Sequence, residues 1–151
     1  VSASFTEVHM SQDIQDRLGP VDVVIIEFPA GTLEAAGFEA LLDAVNKGVV
    51  RVLDIELVSH GTDGSVTLVD LDDAAAEFGL SELVGASSGL LDDDDVAFVG
   101  EITAPGSLSA AILYEQIWVF PVVDGFESVG GRVVSSSHLD AQDVVAALGD
   151  E

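Results

Sequence analysis

With 151 residues, 48% of them hydrophobic, the chain is long enough to bury a core of its own and too apolar to be disordered. Its 28 acidic residues against 4 basic ones give −24, a charge that repels phosphate backbones and anionic membranes and so excludes nucleic acid and membrane insertion from the expected partners. There is no cysteine, hence no disulfide, no thiol nucleophile and no Cys-based metal site. Three readings of the charge stand side by side: plain solubility, adaptation to high salt in which counterions screen the repulsion, and association with cations, which the pattern makes non-specific. No apolar run approaches a membrane span and no signal peptide is visible, so the expectation is a soluble protein, cytoplasmic or secreted after processing.

Residues 1–18 read as an N-terminal arm, loosely alternating and then turning once before Gly19-Pro20, with Phe5, Val8, Met10, Ile14 and Leu18 as its apolar residues. Val21 to Phe28 is a nearly unbroken β-branched run of strand length held between Pro20 and Pro29, and predicts a central strand buried on both faces. Thr32 then reads as the N-cap of a helix with a stripe of Leu33, Ala36, Phe38, Leu41, Leu42 and Val45, closed by Lys47-Gly48. Val49–Ser59 and Ser65–Leu71 read as a hairpin around the turn 60–64. A short acidic helix over Asp72–Phe78, a turn of helix capped by Ser81, and a loop Gly85–Gly89 follow. Asp92–Asp95 introduce a helix through Ile102, ended by Pro105-Gly106. Ser109–Val119 is the second strongly apolar strand and the expected neighbour of the first. Pro121 starts a helix to Val129, Arg132–Ser137 reads as a fifth strand, and Asp140 caps a last helix through Leu148. Phe28-Pro29, helix, glycine and Arg51 are echoed by Phe120-Pro121, helix, glycine and Arg132, which reads as a partial internal repeat.

Several short motifs stand in order along most of the chain. They are Gly19-Pro20-Val21-Asp22 with Phe28-Pro29, Arg51-Val52-Leu53-Asp54, Asp63-Gly64-Ser65-Val66, Ser88-Gly89-Leu90-Leu91 before an acidic helix start, and Glu115 with Trp118. From Gly19 to Leu148 the sequence thereby resembles a family of small actinobacterial proteins of unknown function. The resemblance implies a ferredoxin-like α/β sandwich and implies no reaction; the arm falls outside it.

The chemistry-bearing patterns each have a plainer explanation. Gly85-Ala86-Ser87-Ser88-Gly89 fits a nucleophile elbow, and Asp124 and His138 would complete the order Ser, Asp, His. The elbow needs a buried strand before it and a helix directly after it, and the sequence offers neither, so a loop is expected. Asp92–Asp95, and Asp70 with Asp72 and Asp73, are acidic clusters, but consecutive aspartates do not wrap a cation and serve a helix N-terminus well. His9, His60 and His138 have no metal-ligand spacing. Glu27 and Glu115 are acids inside apolar strands. If adjacent they would raise one another's pKa and point to acid/base chemistry. The preferred reading pairs them with Arg51 and Arg132 as structural clamps.

The sequence therefore predicts a single ferredoxin-like α/β (α+β sandwich) domain over 19–151, with a mixed sheet of about five strands and 21–28 and 109–119 at its centre. No catalytic set, cofactor or metal site is expected. The function expected is non-enzymatic self-association into a homo-oligomer or filament through the arm and a sheet edge. The alternative is a small-ligand sensor using the cleft between sheet and helices with Glu27 and Glu115 as contacts; a serine hydrolase ranks third.

Overall fold

The structure, a computed structural model, describes residues 19–135, 139 and 141–149. The chain divides into two compact units, the first ending at Trp118 and the second beginning at Val119. The first runs β1 (Val21–Phe28), α1 (Ala35–Asn46), β2 (Val50–His60), β3 (Val66–Val69), α2 (Leu71–Phe78), a 3-10 turn (Ser81–Leu83), α3 (Asp93–Ile102) and β4 (Leu108–Gln116). The second contains α4 (Val119–Glu127) and α5 (Ala141–Gly149). Phe120 and Pro121 lie inside α4, whereas Phe28 ends a strand, so the echo between the two halves is not a structural repeat.

The four strands form one sheet in the order β1-β4-β2-β3, with every neighbouring pair antiparallel. β1 pairs with β4 as expected, and β2 with β3 forms the hairpin. Three expectations are corrected. Among the described residues the sheet has four strands and is antiparallel rather than mixed; Arg132–Ser135 is coil, and 136 and 137 lie outside the described residues. In the sheet of the described residues β1 stands at the edge, and β4 with β2 holds the centre. Helices cover both faces of the sheet, because two separate apolar clusters flank it. One joins Phe38 of α1 and Leu71 and Ala75 of α2 to Ile55, Leu57, Ala110 and Ile112. The other joins Val99 of α3 and Leu91 to Val58, Ala111 and Leu113.

The apolarity of β1 misleads because strand position follows satisfied burial rather than hydrophobicity alone. Val23, Val24 and Ile26 of β1 remain 51%, 39% and 42% exposed, while Asp54–Val58 of β2 are buried without a break. β2 also carries a bulge. Val52 faces Tyr114 and Asp54 faces Leu113, which leaves Leu53 without a partner. Val52 packs on the first cluster and Leu53 on the second, so Leu53 and Asp54 share a face.

Local caps explain the helix boundaries. Asp70 accepts from Asp73 N and starts α2, which is why β3 ends at Val69. Asp92 and Asp95 make a reciprocal capping box at α3, and the Asp95 N–H holds the Asp92 carboxyl below its ordinary range. α1 begins later than its sequence implies: Glu34, not Thr32, occupies the cap position, and its side chain makes no cap bond. Gly100 lets α3 lie close on β3, since a Cβ there would stand 2.5 Å from Val66 Cγ2.

Candidate functional site

Glu115 and Glu27 sit at opposite ends of the β1–β4 pair, Glu115 facing Val21 and Glu27 facing Ser109, so the structure does not bring them together. Glu115 is fully buried and directly faces Arg51 across the β2–β4 ladder. Arg51 Nε donates to Glu115 Oε1 at 2.8 Å, Nη2 donates to the same oxygen, and Gly19 N donates to Oε2 at 2.6 Å. Glu27 instead accepts from Ala104 N at 2.8 Å, closing the loop before β4. Arg132 is exposed in the coil after α4, and among the described residues no ion pair joins it to a carboxylate. The arm residues Phe5, Val8, Met10, Ile14 and Leu18 lie outside the described residues, as does His138.

The other sequence candidates disperse. Ser87 is in the loop between the 3-10 turn and α3; no helix follows it directly, and its hydroxyl donates to Glu56 Oε1 at 2.7 Å. His60 Nδ1 lies 3.3 Å from Thr103 Oγ1 at the hairpin end. Among the described residues no three His, Cys, Asp or Glu side chains are grouped to hold a metal ion.

A second pair of acids, which the sequence reading passed over, is the most unusual chemistry of the unit. Asp54 and Glu56 stand on the same face of β2, 0% and 6% exposed. The loop Gly85–Leu91 passes beside them from one side of the sheet to the other, since Leu83 belongs to the first cluster and Leu91 to the second. Ala86 O accepts from Ile55 N at 3.1 Å, so beyond the end of β3 the loop takes over the edge of β2. Asp54 Oδ1 accepts from Ser88 N and Oδ2 from Leu91 N, both at 2.7 Å. Glu56 accepts from Ser87 Oγ at 2.7 Å and from Gly89 N at 3.3 Å.

Burial is the main cause that raises the Glu56 pKa, and a hydrogen bond shared with the neighbouring Asp54 raises it further. The Ser87 and Gly89 donors oppose both. The arrangement fixes the loop to β2 by charge-assisted bonds.

Glu56 also lines an apolar cavity of about 220 Å³ between α3 and the strands. Val23 and Ile25 of β1, Val58 of β2 and Ala111 of β4 form its floor; Val96 and Val99 of α3 form its wall. The sequence could have signalled Asp54 and Glu56 only through their loop: two serines, two glycines and free N–H groups opposite an acidic strand. On alternation alone the two acids read as a solvent face.

These features define a small α/β domain with a loop-caged carboxyl pair beside an apolar cavity. The chain belongs to a family of unknown function, DUF6325, whose model matches residues 17–150. No curated protein and no solved structure matches it. Among the described residues no helix is long and apolar enough to cross a membrane.

Proposed function

We propose that this domain is a non-enzymatic, self-associating module that pairs with a second copy through the outer edge of β1. The observation that supports the reading is the apolar sequence of β1 at the margin of the described sheet. Among the described residues the strand that pairs with β1 is β4, and the eight residues of β1 include no lysine, no proline and no bulge. Edges are ordinarily blunted by such devices, because a row of free N–H and C=O groups with apolar flanks recruits another strand. Addition of β1 to a second β1 would join two four-stranded sheets into one. The N-terminal arm adds apolar surface to the same reading and would extend pairing into larger assemblies. Asp22 and Glu27 flank the contact and the net charge is −24, so association requires screening salt.

Light scattering on the eluting full chain, in low salt and in about 2 M potassium chloride, tests this directly. Dimers or larger species are expected in high salt. Val24→Lys should return a folded monomer, and removal of residues 1–18 should leave a folded monomer or dimer and abolish anything larger. A chain that stays monomeric at high concentration in molar salt would refute the reading, as would an oligomer indifferent to Val24→Lys.

A second reading, small-ligand binding, is favoured by the cavity between α3 and the sheet. Its polar contact is Glu56, in place of Glu27 and Glu115.

A further inference from the structure

The cavity has a chemical polarity that selects among ligands. Its lining is apolar apart from two carboxyl groups, Glu56 at the floor and Asp95 on α3. Among the described residues no basic side chain lines it. Lys47 is paired with Asp43 at 2.8 Å on α1, and Arg51 is engaged by Glu115 on the far stretch of β2. An anionic ligand would find no partner there and would face a chain of net charge −24. Glu56 already accepts one hydrogen bond at each oxygen, and a carboxyl oxygen has room for a second. The small side chain of Ala111, 3% exposed, deepens the floor between β1 and β2. A cavity of 150 Å³ takes benzene, so one of 220 Å³ takes roughly nine non-hydrogen atoms.

Resting on the ligand-binding reading above, we propose that this cavity binds a small hydrophobic primary amine, its apolar body between β1 and α3 and its ammonium against Glu56. The apolar body supplies affinity by leaving water, and the ammonium supplies selection, because it satisfies a buried acid whose donors among the described residues are neutral. Asp54 behind Glu56 and Asp95 across the cavity strengthen the field at the same point. Ser87 and Gly89 hold the Glu56 carboxyl in place.

Phenethylamine, 2-phenylethanol and phenylacetate are matched probes for the full chain, followed by amide NMR in about 0.5 M potassium chloride to screen surface attraction. Phenethylamine should saturably shift Val23, Ile25, Val58, Val96 and Val99, bind about tenfold more tightly than the alcohol, and leave phenylacetate silent, as expected for one charge-assisted bond. Glu56→Gln should bring the amine down to the level of the alcohol, and Ala111→Leu should remove both. Equal binding of amine and alcohol to the unaltered chain would overturn the amine assignment while leaving a ligand site. Absence of binding by any of the three would overturn the ligand-binding reading itself. Amine-induced shifts scattered over the acidic surface, or unchanged by both Glu56→Gln and Ala111→Leu, would also refute the site.

Discussion

Glu115 and Glu56 lie on neighbouring strands, on the same face of one sheet, and are both buried, yet they are held in opposite ways. Glu115 faces an arginine, and its charge is cancelled by a partner directly across the ladder. Glu56 faces Ala111 and stands beside another acid, and among the described residues a hydroxyl and a backbone N–H donate to it. Arg51 is half exposed, so water reaches one side of the Glu115 pair, whereas the Asp54–Glu56 pair is closed over by a loop. A buried charge with a cation is settled. A buried acid without one is poised, because a proton or an incoming cation can still lower its energy. Burial alone therefore does not distinguish the two carboxyls; among the described residues the cation beside Glu115 and not beside Glu56 does.

The comparison is broken most severely at Asp54. Asp54→Ala should leave the N–H groups of Ser88 and Leu91 unpaired and release the loop that closes over Glu56, with a loss of about 3 kcal/mol in chemical denaturation. A smaller loss is expected from Arg51→Ala, about 2 kcal/mol, because the guanidinium is half exposed and Gly19 N still serves Glu115. Combining it with Glu115→Gln should recover part of that loss, and a double-mutant cycle with no coupling would remove the pair from the account.

The third test concerns the proton. The Glu56 pKa is raised in the folded state, so the folded chain binds the proton more tightly than the unfolded chain does. The stability it contributes is complete below the ordinary glutamate range and is lost as pH rises through the raised value. Glu56→Gln, whose amide can donate to Asp54 at any pH, should therefore gain on the unaltered chain as pH rises. The expected gain is about 1 kcal/mol at pH 8, vanishing toward pH 4. Parallel stability–pH curves for the two proteins would dismiss the raised Glu56 pKa. The smallest effect belongs to Arg132→Ala, which should stay within about 0.5 kcal/mol, as exposed positions do. A loss of several kcal/mol would restore Arg132 as a clamp.

What was legible in the sequence follows the same division. Caps and turns act locally, and Asp92, Gly48 and Gly64 mark their elements correctly, whereas Asp70, read inside the third strand, caps α2. Strand rank does not act locally. Val21–Phe28 looks more central than β2 because its residues are more apolar, but β2 takes the centre once the loop 85–91 satisfies its acids. Glu115 was visible as an acid in an apolar strand. Asp54 and Glu56 were hidden by alternation, since acids at every second position look like the wet face of a half-covered strand. Their burial depends on a loop about thirty residues further along the chain. The coil at Arg132–Ser135 was misread because its valines have strand propensity, and no neighbour in the described sheet pairs with them.

The unpaired Leu53 in β2 works like a shift of reading frame. Side chains on a regular strand change face at every step, so Arg51 and Asp54, an odd number of positions apart, would point in opposite directions. The extra residue resets the alternation and lets one strand serve Glu115 in its first frame and the loop in its second. Removing Leu53 would not weaken the two carboxyl sites by degrees. It would set them in conflict, because any pairing that kept Arg51 opposite Glu115 would turn Asp54 and Glu56 toward α1, and any pairing that kept the loop would turn Arg51 away. A relative that lacks this one residue should therefore retain the arginine pair or the caged acids, and not both.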